Sequence, residues 1–402
     1  MNPTPTPHKL PLPIRALNWA GRRPAARIVP LEASALRERA VRASGLHDFG
    51  EQTQFSEGLE TLCRSVEVDA GLSLAGRIAF RDYIVRSLTN RLRYVQTRAA
   101  QPEVEQVDLV PPIIVMGLPR SGTTFLHHLL ACDPGARPLR LWELMEPIAG
   151  PGPDHRRRRT AKALARARWM DQTLDAKHHF DADNPEECVL LLDPSLVSAS
   201  FWVFAPVHGY LQWLRAQDLH GSYELYRWYL QWFQRETPTQ RLVLKAPAHT
   251  AAVQALLQAV PNALLVQTHR DPVSVVPSAN SLVLSLHSLV SEGLDIERMC
   301  TSNLEHLEHL VETSELARAR SKGWVDVRYA DLVANPIDCV RRIYAHLELT
   351  VSEEMVEGME RHLAARPKDK YGSHAYSARG FGPSDATVRE RFSAYVRDHL
   401  AD

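Results

Sequence analysis

Cysteine and lysine are scarce in this chain of 402 residues, neither sign of charge is in excess, and no long apolar run occurs. The five cysteines, Cys63, Cys132, Cys188, Cys300 and Cys339, lie dozens of residues apart without a CxxC or Cys/His spacing. That argues against a disulfide framework and a structural zinc site. Forty-seven basic residues balance 47 acidic ones, which excludes a strongly basic nucleic-acid binder as a description of the whole chain. There is no run of about 18 apolar residues. Nor do the first residues hold the apolar stretch, roughly 7–15 residues long, of a secretory leader. The expectation is a cytoplasmic protein with neither membrane nor nucleic acid as partner. Only 7 of the basic residues are lysines against 40 arginines, so an isolated arginine says little and a lysine more.

What is present is organised in stretches. Residues 1–30 hold seven prolines and suggest an extended arm. From 31 to about 110 the periodicity turns helical, with Leu59, Leu62 and Val66, then Ile84, Leu88 and Leu92, at three- and four-residue steps. Beyond Pro111-Pro112, short apolar runs alternate with helical patterns. The strand candidates are 113–116, 242–244, 264–267 and 324–327. This is the texture of an α/β fold, a P-loop-like parallel sheet flanked by helices. The reading is one domain over 31–402, with a helical N-terminal layer at 31–110 and a helical insertion at 132–240 within a core at 111–402.

The first strand runs into Gly117-Leu118-Pro119-Arg120-Ser121-Gly122-Thr123-Thr124 and then an amphipathic helix. A strand, a glycine-bounded loop and a helix start aim backbone N–H groups at a phosphate. The frame matches a nucleotide-binding P-loop, but Thr123 stands where an NTPase places the lysine that reaches the β- and γ-phosphates. The strand at 264–267 ends in His269-Arg270-Asp271-Pro272, with Ser278 eight residues after Arg270. An arginine fork and a hydroxyl brought together can hold a phosphate monoester.

Together these two motifs resemble the sulfotransferases that use 3′-phosphoadenosine 5′-phosphosulfate (PAPS). The arginine-type loop is similar to that of the bacterial sulfotransferase family 3 and of tyrosylprotein sulfotransferases. Leu244-Lys245-Ala246-Pro247-Ala248-His249, the stretch from Val327 to Val333, His374-Ala375-Tyr376-Ser377 and Phe381-Gly382 extend the likeness over residues 45–402. The resemblance implies transfer of a sulfuryl group to a hydroxyl, with no metal. It gives Arg120 the leaving group, assisted by Ser121, Gly122, Thr123 and Thr124 around the 5′ end. Arg270 and Ser278 take the 3′-phosphate, Tyr329 lies near the adenine, and Lys245 meets the transferring sulfonate. Glu143 lies in the segment where arginine-type relatives carry a glutamate base, and His249 is the rival for that role. The stretch 368–382 resembles a loop closing over the 3′-phosphate, with Lys370, Arg379 or the backbone making the contact.

On the acceptor side, 11 of the chain's 29 aromatic residues fall in 201–233. They fit an aromatic-lined pocket for an apolar acceptor and, equally, two helices packing aromatic faces into the core. Seven positive charges between Arg156 and Arg168 form a solvated helix face, a lid, or a receiver for an acidic acceptor. Glu186 and Glu187 are candidates to orient substrate. Against the sulfotransferase stand a P-loop kinase acting on a small molecule and a nucleotide-binding regulator without catalysis. Neither the acceptor's identity nor the oligomeric state is legible.

Overall fold

Five parallel strands pair into one sheet, β1 (Ile113–Gly117), β2 (Ala136–Pro138), β3 (Arg241–Lys245), β4 (Leu264–His269) and β5 (Trp324–Arg328), in the order β2-β3-β1-β4-β5. The computed structural model describes residues 10–22, 25–50, 53–172, 180–321, 323–365 and 382–401. Side chains along β1 alternate between faces, as strand geometry requires. Ile114 and Met116 join Leu242 and Leu244 in one core, and Ile113 and Val115 join Val243, Val266 and Val325 in another. Burial on both faces explains why the strands read as unbroken apolar runs. β2 lies inside the stretch expected to be helical. Its three residues, Ala136-Arg137-Pro138, offer no apolar run, and it forms because Ala136 pairs with Arg241 on the edge of β3.

Residues 33–100 form the helices Ala33–Ser44, Thr53–Val68 and Leu74–Ala100. Their apolar faces meet Leu196, Phe201 and Tyr210 from the stretch between β2 and β3 in a shared core. The extended arm is corrected over its described part, where Leu12–Gly21 and Ala25–Ile28 are helices. Pro11 and Pro13 sit at the helix entry, where a missing N–H costs nothing, and Ile14–Gly21 contains no proline to interrupt it. The 201–233 aromatics settle as core. Phe201, Trp202, Tyr210, Tyr223, Tyr226, Trp228, Tyr229 and Phe233 are all buried, with edge-on pairs such as Tyr94–Trp228 at 5.0 Å.

The sheet places every strand's carboxyl end on one edge. Along it, Val115 is level with Lys245, Gly117 with Thr268, and His269 with Arg328. The chain leaves β1 toward β2 and β3 on one side and later passes to β4 and β5 on the other. Such a reversal of winding direction opens a crevice beside the end of β1. The long helix Pro272–Val290 has the length and apolarity of a membrane span, yet 78% of its apolar window is buried in the protein.

Candidate active site

The loop after β1 is shaped by close backbone approach. Gly117 (φ 130°) lies so near β4 that a Cβ there would sit 2.4 Å from the Thr268 carbonyl oxygen. Its N–H donates to Thr250 Oγ1 (2.9 Å), tying the loop to the turn after β3. Ser121, fully buried, donates to the Leu118 carbonyl (2.5 Å) and shares a hydrogen bond with Thr268 Oγ1 (2.5 Å). Ser121 therefore holds the loop's shape. Gly122 (φ 98°) opens the helix Thr123–Leu130, and no side chain caps that end. The first N–H groups of such a helix are unpaired within it and carry its positive dipole end, which suits an anion.

Arg120 connects the two sequence motifs. Its backbone is left-handed (φ 67°), a conformation that costs a non-glycine residue on the order of 1–3 kcal/mol. Two residues hold it there. Arg270 Nη1 donates to the Arg120 carbonyl (2.8 Å), and Arg120 Nε donates to Ser278 Oγ (3.1 Å). Arg270 also stacks its guanidinium over the Tyr329 ring at 4.1 Å. That ring in turn leaves room only for glycine at 122, where a Cβ would come within 2.9 Å of it. Arg120, Gly122, Arg270, Ser278 and Tyr329 are thus one constellation. Thr123 is buried and Thr124 half-buried at the start of the adjoining helix.

Lys245, at the end of β3, is wholly buried. Its Nζ donates to Glu187 Oε1 (2.9 Å) and Glu186 Oε1 (3.3 Å). Burial alone would lower its pKa, but the two carboxylates outweigh burial and raise it. It is therefore a fixed cation at neutral pH. An ammonium has three N–H bonds, and the carboxylates take two.

The two expected bases sit differently. Glu143 Oε1 and Oε2 accept from Arg137 at 2.5 and 3.1 Å, and Oε2 also accepts the Arg140 N–H (2.8 Å), closing the start of the short helix Leu141–Met145. A carboxylate with those partners has its lone pairs engaged in a structural pair. His249 is buried with both ring nitrogens occupied, Nδ1 by the Tyr223 hydroxyl (2.7 Å) and Nε2 by Cys188 Sγ (3.2 Å). Burial pushes its pKa down to about 3, so it is neutral and a weak proton acceptor. Lys370 and Arg379 lie outside the described residues. Gly382, at the end of that stretch, lies against Asn280, two positions beyond Ser278.

Sequence reasoning passed over Thr250 and Thr268, which shape the loop. Their signal is a polar residue at or just past the end of an apolar strand run. Among the described residues, His269, Asp326 and His399 have the side chains for a metal, but Arg318 already pairs with Asp326 and the two imidazoles stack in parallel at 4.3 Å.

Comparison with known proteins places this arrangement among relatives. A profile described as "Sulfotransferase family" matches residues 111–353. The crystal structure of the sulfotransferase STF1 from Mycobacterium tuberculosis superposes with a TM-score of 0.77 at 30% identity, over 90% of this chain and 98% of that one. The crystal structure of STF9 from Mycobacterium avium gives 0.78 at 26%, over 92% and 97%. An omega-hydroxy-beta-dihydromenaquinone-9 sulfotransferase of Mycobacterium bovis is 26% identical over 67% of this chain and 71% of its own length.

Proposed function

Because the chain belongs to the sulfotransferase family, we propose that it moves a sulfuryl group from PAPS to a hydroxyl of an apolar small molecule. The observation that carries this is the joining, at Arg120, of the loop after β1 with Arg270 and Ser278. A nucleotide charged at both its 5′ and 3′ ends needs two anion sites in one crevice. The loop amides, Arg120 and the start of Thr123–Leu130 serve the 5′ end, Arg270 and Ser278 the 3′-phosphate, and Tyr329 the adenine side. A kinase would carry a lysine at position 123.

In the transfer, the acceptor oxygen attacks sulfur, the bridging S–O bond breaks, and its electron pair leaves with 3′-phosphoadenosine 5′-phosphate. Arg120 and Lys245 balance the charge on the bridging and sulfuryl oxygens, the electrostatic term that dominates the related phosphoryl transfers. Glu187 takes the acceptor proton. Its side chain is 33% exposed and contacts Lys245, whereas Glu143 is held by Arg137 and His249 is enclosed. The mycobacterial relative named for a hydroxylated menaquinone makes an apolar alcohol the acceptor class to try first.

Calorimetry with 3′-phosphoadenosine 5′-phosphate and transfer from labelled PAPS to a panel of alcohols test this. Arg270→Ala should weaken nucleotide binding on the order of 100-fold, the scale of losing a hydrogen-bonded ion pair. Glu187→Gln should keep that binding and lower turnover by about 100-fold or more. Absence of nucleotide binding by the unaltered protein would overturn the reading, and loss of binding in Glu187→Gln would remove its role as base.

A further inference from the structure

Two surface helices carry large apolar side chains that the fold leaves outside. On Leu12–Gly21, Leu12, Arg15, Ala16 and Trp19 recur at three- and four-residue steps along the exposed face. Leu12 is 73% and Trp19 74% exposed. The opposite face is docked, with Asn18 Oδ1 accepting the Ala75 N–H (3.0 Å) and Gly21 against Leu74. The outward face is therefore the one the protein presents.

The helix Arg156–Met170 is similar. Only Thr160 of its residues is buried. Arg156, Arg157 and Arg159 are paired with Asp154, Asp183 and Glu146. Arg158, Lys162, Arg166 and Trp169 align on one side at four- and three-residue steps, all exposed, and the three cations have no acidic partner among the described residues. Leu10, just before the first helix, and Ala167 and Met170 of the second pack on the same pair, Leu286 and Leu289, which brings the two stretches to one region of the surface.

The charge is strongly segregated. Residues 1–31 contain Lys9, Arg15, Arg22, Arg23 and Arg27 with no Asp or Glu, and 155–170 contain seven Arg or Lys with none. Twelve of the 47 basic residues, and not one of the 47 acidic ones, therefore lie in these stretches. Exposed leucine and tryptophan interleaved with unpaired cations suit a surface whose polar layer is anionic and whose interior is apolar.

We propose that this face docks the protein peripherally on an anionic lipid bilayer. Trp19, Trp169 and Leu12 enter the headgroup region, and Arg15, Arg158, Lys162 and Arg166 meet the lipid phosphates. A nucleic acid would match the cations but leave Leu12 and the 55%-exposed Ile28 in water. The docking is independent of the donor and the acceptor. It goes beyond the expectation of a chain without a membrane partner, which rests on the lack of a spanning run and of a secretory leader.

Co-sedimentation of the full chain with vesicles of phosphatidylcholine, with and without phosphatidylglycerol, tests it. Binding should require phosphatidylglycerol and weaken at high salt. Replacing Arg158, Lys162 and Arg166 together by glutamine should lower partitioning on the order of 100-fold, at roughly fivefold per charge. Leu12→Ser with Trp19→Ser should lower it at least about tenfold while the thermal unfolding midpoint stays in place. No binding to phosphatidylglycerol vesicles, equal binding to both vesicle types, or indifference to both sets of substitutions would overturn the proposal. So would a dimer in light scattering that needs Trp19 while vesicles are ignored.

Discussion

Lys245→Met is expected to abolish measurable sulfuryl transfer, a loss of about 100- to 1000-fold or more, and to destabilise the fold by about 3–5 kcal/mol. Both effects have one origin. The ammonium is fully buried between Glu186 and Glu187, so removing it leaves two carboxylates facing each other with no cation between them. A buried charge stripped of its partner costs more than the pair contributed. Methionine keeps the volume, so lost packing adds little. To separate chemistry from stability, Glu186→Gln, the change at the more buried of the two carboxylates, is added to Lys245→Met while Glu187 is kept. The double variant should recover part of the stability in denaturant titration and still fail to transfer. Full activity in either variant would remove Lys245 from the reaction. Lys245→Arg is not a mild change at this position, because a planar fork does not fit a site built for a compact ammonium.

A steep loss of stability below pH 6.5 is the second large effect. His127, His249 and His287 are fully buried, and burial lowers their pKa values to about 4, 3 and 3. The Nε2–H groups of His127 and His287 face the carbonyls of Val243 (3.1 Å) and Trp202 (2.7 Å), and their Nδ1 atoms have no partner among the described residues. A proton added at Nδ1 would place an unsolvated charge in the core. The unfolded chain binds these protons near pH 6.5 and the folded chain only near 3–4. The stabilisation is therefore complete above 6.5 and falls as pH drops through that window. Each histidine contributes about 1.4 kcal/mol per pH unit, so three contribute about 4. Asp193 works the other way. Burial raises its pKa to about 6, so protonation favours the fold below that value and offsets about one histidine. These four groups give a slope of about 3 kcal/mol per unit, and His208 and His306, lowered by burial to about 4 and 3, steepen it, so a typical 5–15 kcal/mol is exhausted within a few units and acid unfolding falls near pH 4 or above. Denaturant titrations from pH 7 to 4 measure this slope, and His287→Gln should reduce it by about 1.4 kcal/mol per pH unit. A flat stability between pH 7 and 5 would show that the histidines accept protons in the native state.

The sheet was readable because its strands are buried on both faces, which writes them as apolar runs. β2 was not, since three residues on an edge carry no pattern of their own and pair only because β3 offers an open side. The loop after β1 was legible for a different reason. Gly117 and Gly122 stand at positive φ against Thr268 and Tyr329, and that steric need appears directly as residue identity. Spacing paired Arg270 with Ser278, but the structure has each of them grip Arg120, a contact across 150 residues that no local pattern encodes. Proton acceptors were the hardest to read. Glu143 and Glu187 are the same side chain in sequence, and only the fold buries one against Arg137 and the Arg140 N–H and leaves the other partly open beside Lys245.

The grip on Arg120 also decides when the site is ordered. Its strained turn is clamped by contacts within the chain, so the entropy of fixing that loop is lost during folding and not at the encounter with a ligand. A preorganised cradle retains more of its contact energy as affinity. It also ties the two halves of the molecule together in time, since the loop after β1 cannot reach its working shape until β4 and the helix after it are in place.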